Sequence, residues 1–144
     1  MSYAFDANVL LYASDRASPF HRRAVEFLGE CASRGDVFYV AWPTAMAYLR
    51  IATHPAIFRA PLAPDEALRN VESLLRLPHA RFLGEEEGFR DAYRRAAHGL
   101  SIRGNLVPDA HLAALLLQHG VRTLYTSDAG FRRFAFLDVR NPFA

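Results

Sequence analysis

Lysine is absent from this chain, and all 17 of its basic residues are arginine. This absence excludes covalent catalysis through a lysine Schiff base and phosphate binding by a P-loop lysine. Any contact with phosphate must use arginine, whose planar guanidinium group can form two parallel hydrogen bonds to one phosphate. The formal net charge is only +2, so the molecule as a whole attracts nucleic acid weakly.

Cysteine and long apolar runs are scarce as well. The single cysteine, Cys31, excludes an internal disulfide bond, and its helical surroundings predict a small buried apolar residue. No apolar run approaches the roughly 18 residues that a membrane span needs. The first residues show no basic leader of a signal peptide. We therefore expect a cytoplasmic protein that makes no membrane contact.

Length and patterning predict one α/β domain over residues 1–144. A hydrophobic content of 51% is enough for a core without disulfide bonds. Short apolar segments, which predict strands, alternate with helical segments. The predicted strands are 3–5, 37–40, 81–83, 123–125 and one near 137–139; the predicted helices are 8–13, 19–33, 43–53, one from 64, 85–100 and 108–118. Uniformly apolar strands indicate a parallel sheet with helices on both faces.

Three of the eight aspartates fall where such a fold places its binding site. Asp6 and Asp128 follow predicted strands, and ligands of open parallel sheets bind beyond the carboxyl ends of the strands. Asp109 lies at the start of the predicted helix 108–118. Each aspartate also has a structural explanation, as a helix cap for Asp6 and Asp128 and as a first-turn charge for Asp109. Their coincidence at one edge of the sheet favours a functional site.

Four segments, in this order, resemble the PIN-domain family, and within it the VapC-type toxins of bacterial toxin–antitoxin pairs: FDANVLLYASD, YLRIATHPAIF, RGNLVPDAHLAALLLQHG and LYTSDAGFRRF. The resemblance implies a three-layer α/β/α sandwich with a short parallel sheet. It also implies an acidic pocket that holds Mg²⁺ or Mn²⁺, cleavage of RNA, and a cognate VapB-like antitoxin that blocks the pocket. A homodimer is implied too, although the sequence does not locate its contact face.

The resemblance assigns roles to five residues of this sequence. Asp6 and Asp109 match direct metal ligands, and Asp128 matches an acid that binds the metal directly or through water. Asn8 and Thr126 match polar positions that support such a pocket.

Two positions depart from the family pattern. Ala47 stands where the family has its second acid, and Gly130 stands where a further acid is often found. We therefore expect three carboxylates instead of four or five. Three carboxylates predict one well-held metal ion and put a second metal site in doubt. We expect reduced activity, not its complete loss.

Four arginines are candidates for contacts with RNA phosphates: Arg50, Arg103, Arg132 and Arg133. His111, two residues after Asp109, is a candidate general acid, but a packed or surface histidine is the simpler interpretation.

Alternative functions remain open at this point. A catalytically weakened PIN fold that only binds RNA or an antitoxin is favoured by Ala47 and Gly130. A phospho-receiver domain also gathers acids at strand ends, but that chemistry needs a paired acid near the first strand and a late lysine, and this sequence has neither. A serine hydrolase lacks its Gly-x-Ser-x-Gly motif here.

Overall fold

A computed structural model describes residues 2–144. In chain order the strands are β1 (Tyr3–Phe5), β2 (Phe38–Ala41), β3 (Ala80–Leu83), β4 (Thr123–Tyr125) and β5 (Asp138–Arg140). The α-helices are α1 (Ala7–Ser14), α2 (His21–Ser33), α3 (Trp42–Ala52), α4 (Pro64–Leu75), α5 (Phe89–Ala97) and α6 (Leu106–Gln118). A 3₁₀ helix spans Ala129–Arg133.

The five strands form one sheet in the order β3-β2-β1-β4-β5, and every neighbouring pair is parallel. The chain runs outward from β1 to β3, then returns to place β4 on the other side of β1. The strand order therefore reverses between β1 and β4. At such a point the connections leave in opposite directions, and a crevice opens at the carboxyl ends of the two strands.

Alternate residues of the inner strands β1 and β2 face two separate cores. On β1, Tyr3 and Phe5 pack with α1 to α4, whereas Ala4 packs with α5 and α6. Phe5 is fully buried and stacks on Phe38 of β2 with ring centroids 5.8 Å apart. Burial of one such phenyl ring contributes about 2–3 kcal/mol. Helices thus cover both faces of the sheet, which confirms the predicted three-layer α/β/α fold.

The predicted helix 85–100 is wrong at both ends, because α5 spans only Phe89–Ala97. Gly88 has φ of 85°, a left-handed conformation that a helix cannot contain. Before it, the Gln118 side chain donates to the carbonyls of Glu86 and Glu87, both at 3.1 Å, and holds them as a loop. Helix α6 begins at Leu106, two residues earlier than predicted, so Asp109 lies inside its first turn.

The environment of Cys31 and the length of the helices complete the description of the fold. Cys31 is free and 1% exposed, as expected for a small apolar core residue. Among residues 2–144, no helix combines the length and the apolar content that crossing a membrane requires.

Candidate active site

Asp6 joins the end of β1 to the start of α1. Its backbone N–H donates to the carbonyl of Tyr125 on β4, at 3.0 Å. Its backbone is extended, with φ of −91° and ψ of 168°, and its Oδ1 accepts a hydrogen bond of 2.7 Å from the N–H of Ala7. Asp6 is therefore the N-cap of α1, where the helix dipole favours a negative charge. The same position places its carboxylate in the crevice between β1 and β4.

Asp128 caps the 3₁₀ helix after β4. Its Oδ1 accepts a hydrogen bond of 2.8 Å from the N–H of Gly130. Asp109 comes from a third element, the first turn of α6, and is half-buried. Within residues 2–144, the Asp109 carboxylate makes no hydrogen bond. Two of the acids are thus held by backbone N–H groups, and the third is free to turn.

The three carboxylates line one pocket of about 290 Å³. Its remaining wall comes from α1, α3, α6 and the 3₁₀ helix: Ala7, Asn8, Leu11, Pro43, Thr44, Ala47, Ile51, Pro108, Leu112 and Phe131. A second cavity of about 320 Å³ lies among α1, α2, α3 and α4, but no charged side chain lines it. Only the first of these two cavities has groups suited to phosphoryl chemistry.

Thr126, the residue after β4, connects the polar groups of this pocket. Its hydroxyl donates to Asp6 Oδ2 at 3.1 Å, and it accepts bonds of 3.0 Å from both Asn8 Nδ2 and the N–H of Asp128. The side chain is 1% exposed, so water cannot replace these bonds. Thr126 therefore holds Asp6 and Asp128 in place, and Asn8 in turn holds Thr126. That these two residues support a metal pocket remains a prediction of the resemblance.

The carboxylates also act on each other electrostatically. Burial raises the pKa of Asp6 above the usual aspartate range, hydrogen bonds from Ala7 and Thr126 partly offset this effect, and the charge of Asp128 adds to it. Burial raises the pKa of Asp109 as well, followed by the charges of Asp128 and Asp6, while Arg133 lowers it. The pocket is thus short of positive charge at neutral pH, and a bound cation relieves that repulsion.

The carboxylates of this pocket suit a divalent cation that keeps several of its waters better than one coordinated entirely by protein atoms. Within residues 2–144, no three His, Cys, Asp or Glu side chains are drawn together as a ready-made ligand set for one ion. The three carboxylates share the pocket without forming such a set. Mg²⁺ needs only one or two carboxylates and keeps several waters. Two residues of the otherwise largely apolar wall, Asn8 and Thr44, each carry a buried oxygen without a partner, Asn8 Oδ1 and Thr44 Oγ1.

Both departures from the family pattern lie at this pocket. Ala47 is on its wall, so α3 offers no carboxylate there. At Gly130, a Cβ atom would lie only 2.9 Å from Asp128 Oδ1. A fourth acid at position 130 is therefore incompatible with the present position of Asp128.

Of the arginine candidates, Arg133 lies nearest the acids, since its charge acts on Asp109 and its Nε donates to the Gly130 carbonyl at 2.8 Å. Arg103 bonds to Ser101 in the loop before α6. Arg50 and Arg132 are exposed, on α3 and on the 3₁₀ helix. None of the four arginines is among the residues that line the pocket.

His111 lies outside the pocket. Its Nε2 contacts the Glu85 carboxylate, and its ring packs edge-on against Phe89 at the start of α5. These contacts favour the simpler interpretation of His111 as a surface histidine.

Thr44 is a polar residue of this pocket that lies outside the four segments on which the resemblance rests. The signal was present in the spacing, because Thr44, Ala47 and Ile51 recur at three and four residues and share one face of α3. All three line the pocket.

The sequence and the fold of this chain are similar to those of known proteins. Residues 3–137 match the family model described as PIN domain. The chain is 45% identical to Ribonuclease VapC48 of Mycobacterium tuberculosis, over 100% of this chain and 99% of the relative. It is 34% identical to Ribonuclease VapC37 of the same organism, over 90% and 89%. The structure of VapBC-1 from nontypeable Haemophilus influenzae matches with a TM-score of 0.68, covering 100% of both chains; at 18% identity this likeness concerns the fold.

Proposed function

Because this chain belongs to the PIN-domain family, we propose that it is a VapC-type endoribonuclease, the toxin of a toxin–antitoxin pair, which hydrolyses phosphodiester bonds of RNA. The observation that carries this proposal is the pocket shared by Asp6, Asp109 and Asp128 at the reversal of strand order. Two relatives named as VapC ribonucleases support the proposal, and the similarity to VapC48 extends over 100% of this chain.

The activity is proposed to depend on Mg²⁺ or Mn²⁺ in this pocket. Asp6 and Asp109 are the proposed direct ligands, and Asp128 orients a water. When bound, the ion orients the attacking water, lowers its pKa and neutralises the charge that develops on the phosphate. Thr126 holds the Asp6 carboxylate and the Asp128 backbone for this task.

Arginine is the proposed contact for the RNA backbone. The bond from Arg133 Nε to Gly130 holds the guanidinium group near the acids and leaves its terminal nitrogens as donors for phosphate. Arg50, Arg103 and Arg132 remain candidates for phosphates further from the cleaved bond.

The proposed partners follow from the same family. We expect a VapB-like antitoxin that covers the pocket, a homodimer, and a cytoplasmic location in which RNA and antitoxin are both available.

Cleavage in the presence of metal tests the proposal. The purified protein with Mg²⁺ or Mn²⁺ is expected to cut bacterial total RNA, and EDTA is expected to stop it. Asp109→Asn, which removes a proposed ligand and breaks no hydrogen bond, is expected to lower the rate by more than about 100-fold. Asp65→Asn is the matched control, because Asp65 lies in the first turn of α4, exposed and outside the pocket. Full cleavage by Asp109→Asn contradicts the assigned role.

A catalytically weakened module that only binds RNA or antitoxin is the second candidate, and Ala47 on the pocket wall favours it. RNA binding by the wild-type protein without cleavage in either metal supports this candidate over the nuclease.

A further inference from the structure

Thr44 carries a buried hydroxyl group that has no partner. It is the third residue of α3 and is 3% exposed. Its Oγ1 makes no hydrogen bond within residues 2–144. A buried polar atom left unpaired costs about 1–3 kcal/mol, so native proteins nearly always supply a partner. The partner of Thr44 is therefore to be sought inside the pocket that this residue lines.

The position of Thr44 in its helix explains why no local partner exists. Threonine in a helix commonly donates to the carbonyl four residues earlier, and Thr53, at the other end of α3, does so to Leu49 at 2.7 Å. Thr44 lies in the first turn, and the residue four positions before it, Val40, belongs to β2. Its hydroxyl consequently remains unpaired, and a rotation of this side chain within the pocket wall would bring it to a ligand.

A second unpaired oxygen in the same pocket shows which ligand chemistry fits. The one hydroxyl proton of Thr126 is donated to Asp6, so Thr126 can only accept from Asn8. This fixes the Asn8 amide with Nδ2 toward Thr126 and leaves Oδ1 buried without a donor. A carbonyl oxygen binds O–H groups or cations, not phosphate oxygens. The waters of a hydrated cation match both Asn8 Oδ1 and the Thr44 hydroxyl.

We propose that Thr44 is a positioning residue for the divalent cation. On the wall where Ala47 offers no carboxylate, the covered hydroxyl group of Thr44 turns to hydrogen-bond a water of the hydrated ion. This inference rests on the proposed function. Thr44 supplies an oxygen donor from α3 without adding a fourth negative charge to three carboxylates that already repel each other. Its contribution is to the affinity and orientation of the hydrated ion, because outer-sphere partners typically change metal affinity by about 10–100-fold.

Binding of Mn²⁺ in the absence of RNA tests the inference, with isothermal titration calorimetry on the full chain. Thr44→Val keeps the shape and removes the hydroxyl, and it is expected to raise the Kd for Mn²⁺ about tenfold. Thr44→Ser keeps the hydroxyl and is expected to restore most of the affinity. Thr53→Val is the matched control on the same helix and is expected to bind Mn²⁺ like the wild type.

Thermal unfolding in EDTA separates this role from a structural one. Thr44→Val is expected to be as stable as the wild type or more so, since it loses an unpaired buried hydroxyl. If Thr44→Val binds Mn²⁺ with the Kd of the wild type, the role of Thr44 is overturned, whether or not the variant loses stability in EDTA. The nuclease proposal stays intact in that case. Absence of Mn²⁺ binding and RNA cleavage in the wild-type protein overturns both.

Discussion

Single residues at this site have structural and chemical roles at once. Asp6 and Asp128 are helix caps, with backbone bonds of 2.7 and 2.8 Å, and they also line the acidic pocket. The two interpretations that the sequence left open for these aspartates are therefore compatible. A cap holds its carboxylate at the positive end of a helix, where the dipole reduces the cost of bringing several negative charges together.

Gly130→Ala is a test of how closely the pocket is packed. The added Cβ would lie 2.9 Å from Asp128 Oδ1 and 3.4 Å from Arg133 Nη2, so Asp128 must move and its cap bond to the 3₁₀ helix breaks. We expect a loss of about 1 kcal/mol of unfolding free energy and at least a tenfold loss of RNA cleavage. Gly29→Ala, in the interior of α2 with open space around its Cβ, is the control and should gain about 0.5–1 kcal/mol with unchanged cleavage. Wild-type activity in Gly130→Ala would show that the position of Asp128 is unimportant.

At the scale of elements, the site is made where chain segments end. Asp6 ends β1, Thr126 follows β4, and Asp109 lies in the first turn of α6. The Thr126 hydroxyl connects two of these ends through its bonds to Asp6 and Asp128. The geometry of the pocket thus depends on the pairing of β1 with β4.

Thr126→Val is expected to weaken that connection. It removes three partly buried hydrogen bonds, so that Asn8 Nδ2 and the Asp128 N–H lose their acceptor. The expected loss is about 2–4 kcal/mol, since each unpaired buried group costs about 1–3 kcal/mol. Urea denaturation measures this loss. Thr123→Val, at the start of β4, is the comparison, and a loss in Thr126→Val no greater than in Thr123→Val argues against a connecting role.

For the whole molecule, the raised pKa values of Asp6 and Asp109 make stability depend on pH and metal. Without metal, the unfolded chain ionises these groups at the usual aspartate pKa, while the folded protein holds their protons to higher pH. The folded state then binds more protons, so their contribution to stability is present at acid pH and is lost as pH rises through the raised pKa values. A cation that binds the folded state restores stability at neutral pH.

Melting temperatures of wild type and Asp109→Asn measure this effect. In EDTA at pH 7, Asp109→Asn is expected to melt higher than the wild type, and the difference should shrink toward pH 4. Added Mn²⁺ should raise the wild-type Tm, by roughly 3–6 °C for each kcal/mol of binding energy, and should leave Asp109→Asn nearly unchanged. Equal shifts in both proteins would place the metal elsewhere.

Much of the fold follows from local patterns. The predicted strands 3–5 and 123–125 match β1 and β4, because short segments rich in aromatic and β-branched residues and bounded by polar residues favour strands. Helix 85–100 was predicted too long, because the interaction that holds Glu86 and Glu87 in a loop comes from Gln118, about 30 residues later. Such long-range side-chain contacts leave no periodic signal in the sequence.

The sequence by itself determined the class of fold, the three candidate acids and the absence of lysine chemistry, since residue type and spacing are local properties of a chain. Only the tertiary structure decided that Asp6, Asp109 and Asp128 share one pocket, that Thr126 holds two of them, and that Thr44 lines the same pocket with its hydroxyl buried and unpaired. Distances between residues more than 100 positions apart depend on how strands pair and helices pack, because no local preference constrains them.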